Sequence, residues 1–183
     1  MRITMMTALM VLATAPTLSA QEWFLHSFGE LRAYHGDWLA VCEDEGAGAC
    51  RIVQTGKDAG SDAYFDNRIA LHRIDSTPDW EVVLMDRGMP AESLSSVWVV
   101  MDDDRIDIPL WTVGELDQAN VAETITLTDA ALTARIIEAM KAGKQMVFHY
   151  APAGTGDGMS RYSLRGVTAA AQSIEARVLA RQE

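Results

Sequence analysis

The chain has 183 residues and a formal net charge of −11, with 15 basic residues against 26 acidic ones. Such an excess argues against nucleic acid or an anionic membrane as partner, because both would be repelled, and suits a basic partner or plain solubility. Beyond the first twenty residues no stretch approaches 18 apolar residues, so no transmembrane segment is expected in the mature chain.

Arg2 gives the chain a short positive start, residues 3–15 are almost continuously apolar, and Pro16 breaks the run. Leu18, Ser19 and Ala20 then offer a small-residue cleavage site before Gln21. This is the pattern of a secretory signal peptide over residues 1–20, and it predicts a periplasmic or secreted protein. The rival reading, a membrane-anchored N-terminal helix, needs a longer run, and no cysteine follows that would carry a lipoprotein anchor. What remains, residues 21–183, suffices for one domain burying roughly 70% of its unfolded surface. It contains no repeat, linker or shift of composition.

Residues 21–34 hold Trp23, Phe24, Leu25, Phe28 and Leu31 and read as a short helix or a lead-in strand. Residues 35–54 read as a strand, a tight acidic loop and a second strand. Trp38, Ala40 and Cys42 share one face of the first strand, and Cys50 and Ile52 share one face of the second. Gly46 and Gly48 supply the permissive backbone of the loop. Cys42 and Cys50 are the chain's two cysteines, and in an exported protein they predict a disulfide across the hairpin mouth. The loop they close is small, so the chain-entropy model gives about 2–3 kcal/mol. A redox-active or metal-binding thiol pair is the alternative, but the spacing is not C-x-x-C and no histidine flanks Cys50.

A polar, glycine-bearing loop follows over residues 56–67, and then a run of strands separated by turn residues. Residues 68–74 place Ile69, Leu71 and Arg73 on one face with His72 on the other. Residues 79–85 align Trp80, Val82 and Leu84. Residues 94–101 carry Val97, Val99 and Met101 on one face, with Trp98 and Val100 opposite. Residues 105–111 align Ile106, Ile108 and Leu110. Many short strands predict an antiparallel sandwich or barrel. The period then changes. Thr128 or Asp129 caps a helix through residue 142 with Leu132, Ile136 and Met140 four apart, and Gly143 stands where a left-handed cap residue is expected. Residues 145–150 return to strand, 151–158 form a small-residue loop, and 162–164 are a last short strand. Thr168 opens a C-terminal helix with Ala171, Ile174 and Val178 inward. The expectation is a mainly β domain with two helices, one of them C-terminal.

Two separated motifs carry a family resemblance. Gly36-Asp37-Trp38 followed by Cys42, Cys50 and Gln54 resembles the opening Gly-Asp-Trp…Cys…Cys…Gln of the invasion-associated locus B family of exported bacterial proteins. Ser163-Leu164-Arg165-Gly166-Val167-Thr168-Ala169-Ala170 is similar to the Ser-Leu-Lys-Gly-Phe-Thr-Ala-Ala that leads into that family's last helix. Lys141-Ala142-Gly143 matches its Lys-x-Gly before a strand. The chain departs from the family in lacking a second cysteine pair mid-domain and in carrying Val167 where Phe is usual. The resemblance implies an immunoglobulin-like antiparallel β-sandwich in the periplasm or outer envelope. It offers no catalytic residues and no cofactor to carry over, and together with the signal peptide and the absence of a catalytic pattern it leads to the expectation of a non-catalytic binding or envelope-interaction module.

The residues themselves announce no chemistry. The nucleophile-elbow, His-Glu-x-x-His, phosphate-loop and EF-hand patterns are absent. The glycine-rich stretch 154–158 has no Lys-Ser/Thr after it and reads as a hairpin loop. Asp102, Asp103 and Asp104 supply hard oxygens for calcium, but adjacent turn residues diverge, and a solvated acidic turn is the better reading. His26, His35, His72 and His149 show no ligand spacing, so metal binding is not expected. Ser163, beside Tyr162 and near Arg165, lies at a strand-to-helix junction where a hydroxyl usually bonds backbone. Trp38, Trp80 and Trp98 are expected in the core, while Trp23 and Trp111 sit at element ends where they would line a ligand surface if exposed. Two other functions stay open: an acidic inhibitor of a basic exported enzyme using Glu43, Asp44 and Glu45 at the hairpin tip, and a small envelope hydrolase whose histidines and carboxylates meet only on folding.

Overall fold

The structure, a computed structural model, describes residues 22–74, 79–90, 94–113, 123–154 and 156–181, and the expected signal peptide lies outside them. A two-residue strand, β1 (Phe24–Leu25), pairs with β2 (Leu31–His35), so the aromatic opening is strand rather than helix. β2, β3 (Trp38–Cys42), β4 (Cys50–Gly56), β5 (Asn67–Arg73) and β6 (Trp80–Asp86) then run as an antiparallel meander. The chain crosses to a second sheet for β7 (Leu94–Met101) and β8 (Asp104–Ile108), and returns to β6 with β9 (Thr124–Leu127). After α1 (Ala130–Ala142), β10 (Gln145–Pro152) inserts beside β7, β11 (Gly158–Ser163) pairs with β10, and α2 (Val167–Ala180) follows. Among the described residues the order is β1-β2-β3-β4-β5-β6-β9 in a seven-stranded sheet and β11-β10-β7-β8 in a four-stranded one. The architecture is a mostly β, antiparallel, sandwich-like arrangement with one helix C-terminal.

Alternation decides which side chains meet between the layers. Trp38, Ala40, Cys42, Ile52, Ile69, Leu71, Val82 and Leu84 from the larger sheet share one core with Val97, Val99, Ile106, Met146 and Phe148 from the smaller. Ile136 and Met140 of α1 and Ala171, Ile174 and Val178 of α2 complete it. Each fully buried Ile, Leu or Phe contributes about 1.5–3 kcal/mol. An exposed ion pair contributes about 0–1, so the core sets stability and the polar contacts set geometry.

Several expectations need correction. The strand expected over residues 105–111 stops at Ile108, because Pro109 has no N–H for the ladder and a single 3-10 turn, Leu110–Thr112, follows. Gly143 is extended (φ −87°, ψ 178°), not left-handed; the chain passes straight into β10 after the Gly143 N–H closes the helix on Ala139. Asp129 caps α1 by accepting from the Leu132 amide. Trp98 is not in the core: it projects from the outer face of the smaller sheet, as its register opposite Val97 and Val99 requires. Trp80 is half-buried against the core's edge. Thr124–Leu127, not expected as a strand, forms β9.

Candidate functional site

The two motifs that carry the resemblance touch each other. Gly36 (φ +61°), in the β2–β3 turn, and Gly166 (φ +99°), at the start of α2, lie back to back. A Cβ on Gly36 would come within 2.5 Å of the Arg165 carbonyl oxygen, and one on Gly166 within 2.0 Å of the His35 carbonyl oxygen. Only glycine permits both the approach and the backbone conformation. The Asp37 amide donates to the Arg165 carbonyl (3.0 Å), and the Trp38 indole N–H donates to the Ser163 carbonyl (2.9 Å).

Gln54 completes the clasp. Its Nε2 donates to the carbonyls of Ser163 (2.9 Å) and Asp37 (3.1 Å), and its Oε1 accepts from the Ser163 amide (2.8 Å). The side-chain amide thus pairs with the Ser163 backbone as a neighbouring strand would, tying β4 of one sheet to β11 of the other. On the outer side the Asp37 carboxylate accepts from Ser163 Oγ (2.6 Å), Arg165 Nε (3.0 Å) and Arg165 Nη2. The Arg165 hydrogen bond, then that of Ser163, hold the Asp37 carboxyl below its usual range. Ser163 is therefore engaged, with a carboxylate as its acceptor and the Arg165 amide as donor. A carboxylate pinned by a guanidinium is a poor general base, and no histidine is among the partners of Ser163.

Below the clasp, Cys42 and Cys50 form the expected disulfide between cross-strand partners. The loop beyond them is a short 3-10 turn, Asp44–Gly46, in which Asp44 (φ 50°) and Glu45 (φ 54°) are the strained positions and Gly46 takes a positive φ that glycine adopts freely. The C-terminal end of α2 and the residue that caps it grip this loop. Arg181 donates to the Gly48 carbonyl (2.8 Å) and to Cys50 Sγ, while the Arg177 guanidinium lies against Gly46 and over the Trp23 ring (5.4 Å). Of the acidic tip, Glu43 is paired with Arg51 (2.6 Å), and Asp44 and Glu45 stand exposed.

Beside the clasp, the outer face of the seven-stranded sheet is concave, enclosing about 480 Å³, within the range of small-ligand sites. Arg32, Arg51 and Arg68 line it together with Glu30, Tyr34 and Tyr64. Glu30 accepts from Arg32 and from Arg51 (2.9 Å). Burial pushes the Glu30 carboxyl up, but the hydrogen bonds and charges of the two arginines outweigh it and hold the group below its usual range. Arg68 differs. Its guanidinium lies 5.9 Å from the Phe65 ring, its Nε is buried with no hydrogen-bond partner, and no carboxylate pairs with it among the described residues.

The histidines are dispersed. His26 meets the edge of Phe28, and His35 is held low by burial. His72 lies on the outer face of β5, held low by burial and then by Arg51 and Arg68. His149 stacks flat on Trp98 (5.0 Å, 5°) and is held low by burial, then by Arg161 and Arg105. The Arg105 guanidinium also lies over Trp98, at 4.3 Å. Among the described residues no three His, Cys, Asp or Glu side chains gather as metal ligands. Asp102 accepts from the amides of Lys144 and Gln145, which fixes the β7–β8 turn. Trp111 is exposed, in the 3-10 turn. Sequence reasoning missed Asp86: it accepts from Tyr150 Oη (3.1 Å), Ser160 Oγ and the Gly88 amide, and so ties β6 to β10 and β11. Burial, then the charge of Asp86, push the Tyr150 phenol far up.

No family model matches the chain, and no curated protein sequence does. A solved structure does: the crystal structure of invasion associated protein B from Bartonella henselae superposes with a TM-score of 0.56 at 14% identity, covering 80% of this chain and 96% of that one. The likeness is one of fold.

Proposed function

We propose that this chain is an exported periplasmic or envelope protein of the invasion-associated locus B type, whose residues 21–183 form one domain that acts by binding. The observation that carries the reading is the clasp. The two motifs through which the sequence resembles that family are the two segments that bond to each other, in a chain whose fold resembles the Bartonella protein. The motifs therefore describe architecture. Asp37, Gln54, Ser163 and Arg165 spend their polar groups on one another, which leaves no activated nucleophile among them. The disulfide fits an oxidising compartment.

Expression of the whole gene in a Gram-negative host, osmotic release and intact-mass measurement test export. The expected species is periplasmic, lacks residues 1–20 and has no titratable thiol; a full-length cytoplasmic chain with two free thiols contradicts the reading. Crosslinked capture from the native envelope tests binding: one partner in near-equal amount supports it, and turnover of envelope material by the pure protein contradicts it.

A second reading rests on Asp44 and Glu45, exposed at a disulfide-closed tip of a chain carrying net charge −11. Such a tip suits inhibition of a basic exported enzyme. Inhibition of basic cell-wall hydrolases that weakens with salt supports it, and salt-independent inhibition or none contradicts it.

A further inference from the structure

We infer that the concavity on the outer face of the seven-stranded sheet is the binding site of this module, and that it takes an anionic saccharide. Arg68 would hold the ligand's acidic group, and Tyr34 and Tyr64 would stack on sugar rings. The inference rests on the binding reading above and names its ligand class.

Three observations converge on that chemistry. The first is the charge pattern. In a chain of net charge −11, three guanidinium groups share one concave face. Two are already neutralised, Arg32 by Glu30 and Arg51 by Glu30 and Glu43. Arg68 is not: no carboxylate among the described residues pairs with it, so it brings an uncompensated positive charge to the wall of the cavity. The planar guanidinium fits a carboxylate or phosphate through two parallel hydrogen bonds.

The second is the aromatic rim. Tyr34, stacked on Phe24 at 6.0 Å, is 49% exposed, and Tyr64 is 94% exposed. Tyr64 meets the edge of Phe65, the ring on which Arg68 rests, so stacking platform and cation are neighbours. A tyrosine ring offers an apolar face to the C–H face of a sugar and a hydroxyl to its rim. The third is the floor. Leu39 and Val53 are cross-strand partners next to Tyr34 in the sheet, and Glu30, Arg32 and Thr55 line the same cavity, so apolar surface and polar groups are mixed there. That mixture suits a polyhydroxylated ring better than a purely apolar molecule.

The test is titration of the purified, exported protein with tetragalacturonate, followed through backbone amide shifts. Maltotetraose serves as the neutral counterpart and inorganic phosphate as the bare anion. The expected result is saturable binding of tetragalacturonate with shifts at Val53, Tyr64 and Arg68, at least tenfold tighter than either counterpart. Arg68→Gln should weaken it at least tenfold and Tyr64→Ala several-fold, while Arg135→Ala on the exposed face of α1 should leave it unchanged. Tyr64 is nearly free of the fold, so its variant stays informative if Arg68→Gln disturbs the sheet. Equal binding of maltotetraose overturns the role of Arg68, and equal binding of phosphate overturns the saccharide. An exported protein that binds none of the three overturns this inference while leaving export and partner capture to judge the broader reading.

Discussion

Gln54 and Ser163 exchange a reciprocal pair of hydrogen bonds, Nε2 to the Ser163 carbonyl at 2.9 Å and the Ser163 amide to Oε1 at 2.8 Å. One side chain on β4 thereby acts as a strand neighbour for the end of β11, where the two sheets meet. Replacing it with alanine leaves the amide and carbonyl of Ser163 without this partner. Gln54→Ala should destabilise the protein by about 1–3 kcal/mol, read as a lower denaturation midpoint at unchanged slope. A loss below a few tenths of a kcal/mol would mean that water replaces the side chain at no cost.

Asp37 gives the clasp a pH dependence. Its carboxyl is held below the usual range by Arg165, then by Ser163. The unfolded chain therefore binds the proton first as pH falls. The stabilisation is fully present above the unfolded carboxylate value of about 3.9, and it is lost as pH falls through the lower folded value. Asp37→Asn should thus be less stable than the native protein at neutral pH, and the two melting curves should converge in acid. A difference that persists unchanged at pH 2 would contradict the sign.

Gly166→Ala separates close approach from backbone strain. At Gly166 a Cβ meets the His35 carbonyl oxygen at 2.0 Å, whereas at Gly60 (φ +81°) it meets nothing within 4 Å. Gly60→Ala should cost about 1 kcal/mol of left-handed strain. Gly166→Ala should cost about 3–5 kcal/mol, because backbone must move as well. Thermal unfolding of both variants checks the contrast, and equal losses would contradict it.

Cys42→Ser and Cys50→Ser should each lower the melting temperature and leave the fold intact, by about 2–3 kcal/mol for so short a loop. Arg177 of α2 and Arg181 just beyond it still hold the hairpin tip in their absence. Near-ultraviolet circular dichroism with thermal melts checks both halves of that expectation.

The hairpin was legible in the sequence because everything that specifies it is local. Trp38, Ala40 and Cys42 alternate inward, the cysteines lie in register, and glycine marks the loop. Gly143 misled because a glycine after a helix usually turns left-handed, whereas here the chain runs on extended. Trp98 misled because its place within a strand argued for the core, although its alternation with Val97 and Val99 already placed it on the opposite face; its partners Arg105 and His149 lie on β8 and β10. The clasp was legible only as two unconnected motifs, since Asp37 and Ser163 stand 126 residues apart and neither announces the other. Arg68 was silent for the same reason: its neighbours in the cavity come from several strands and a loop.

Native-state hydrogen exchange at three amides tests the clasp most directly. The Asp37 amide donates to Arg165, the Ser163 amide to Gln54 and the Val147 amide lies within β10 of the core. If the two motifs close the fold as one unit, all three exchange with the free energy of global unfolding, and Gln54→Ala lowers all three together. If Asp37 and Ser163 exchange through a cheaper local opening that leaves Val147 protected, the motifs are a surface latch and the account is wrong.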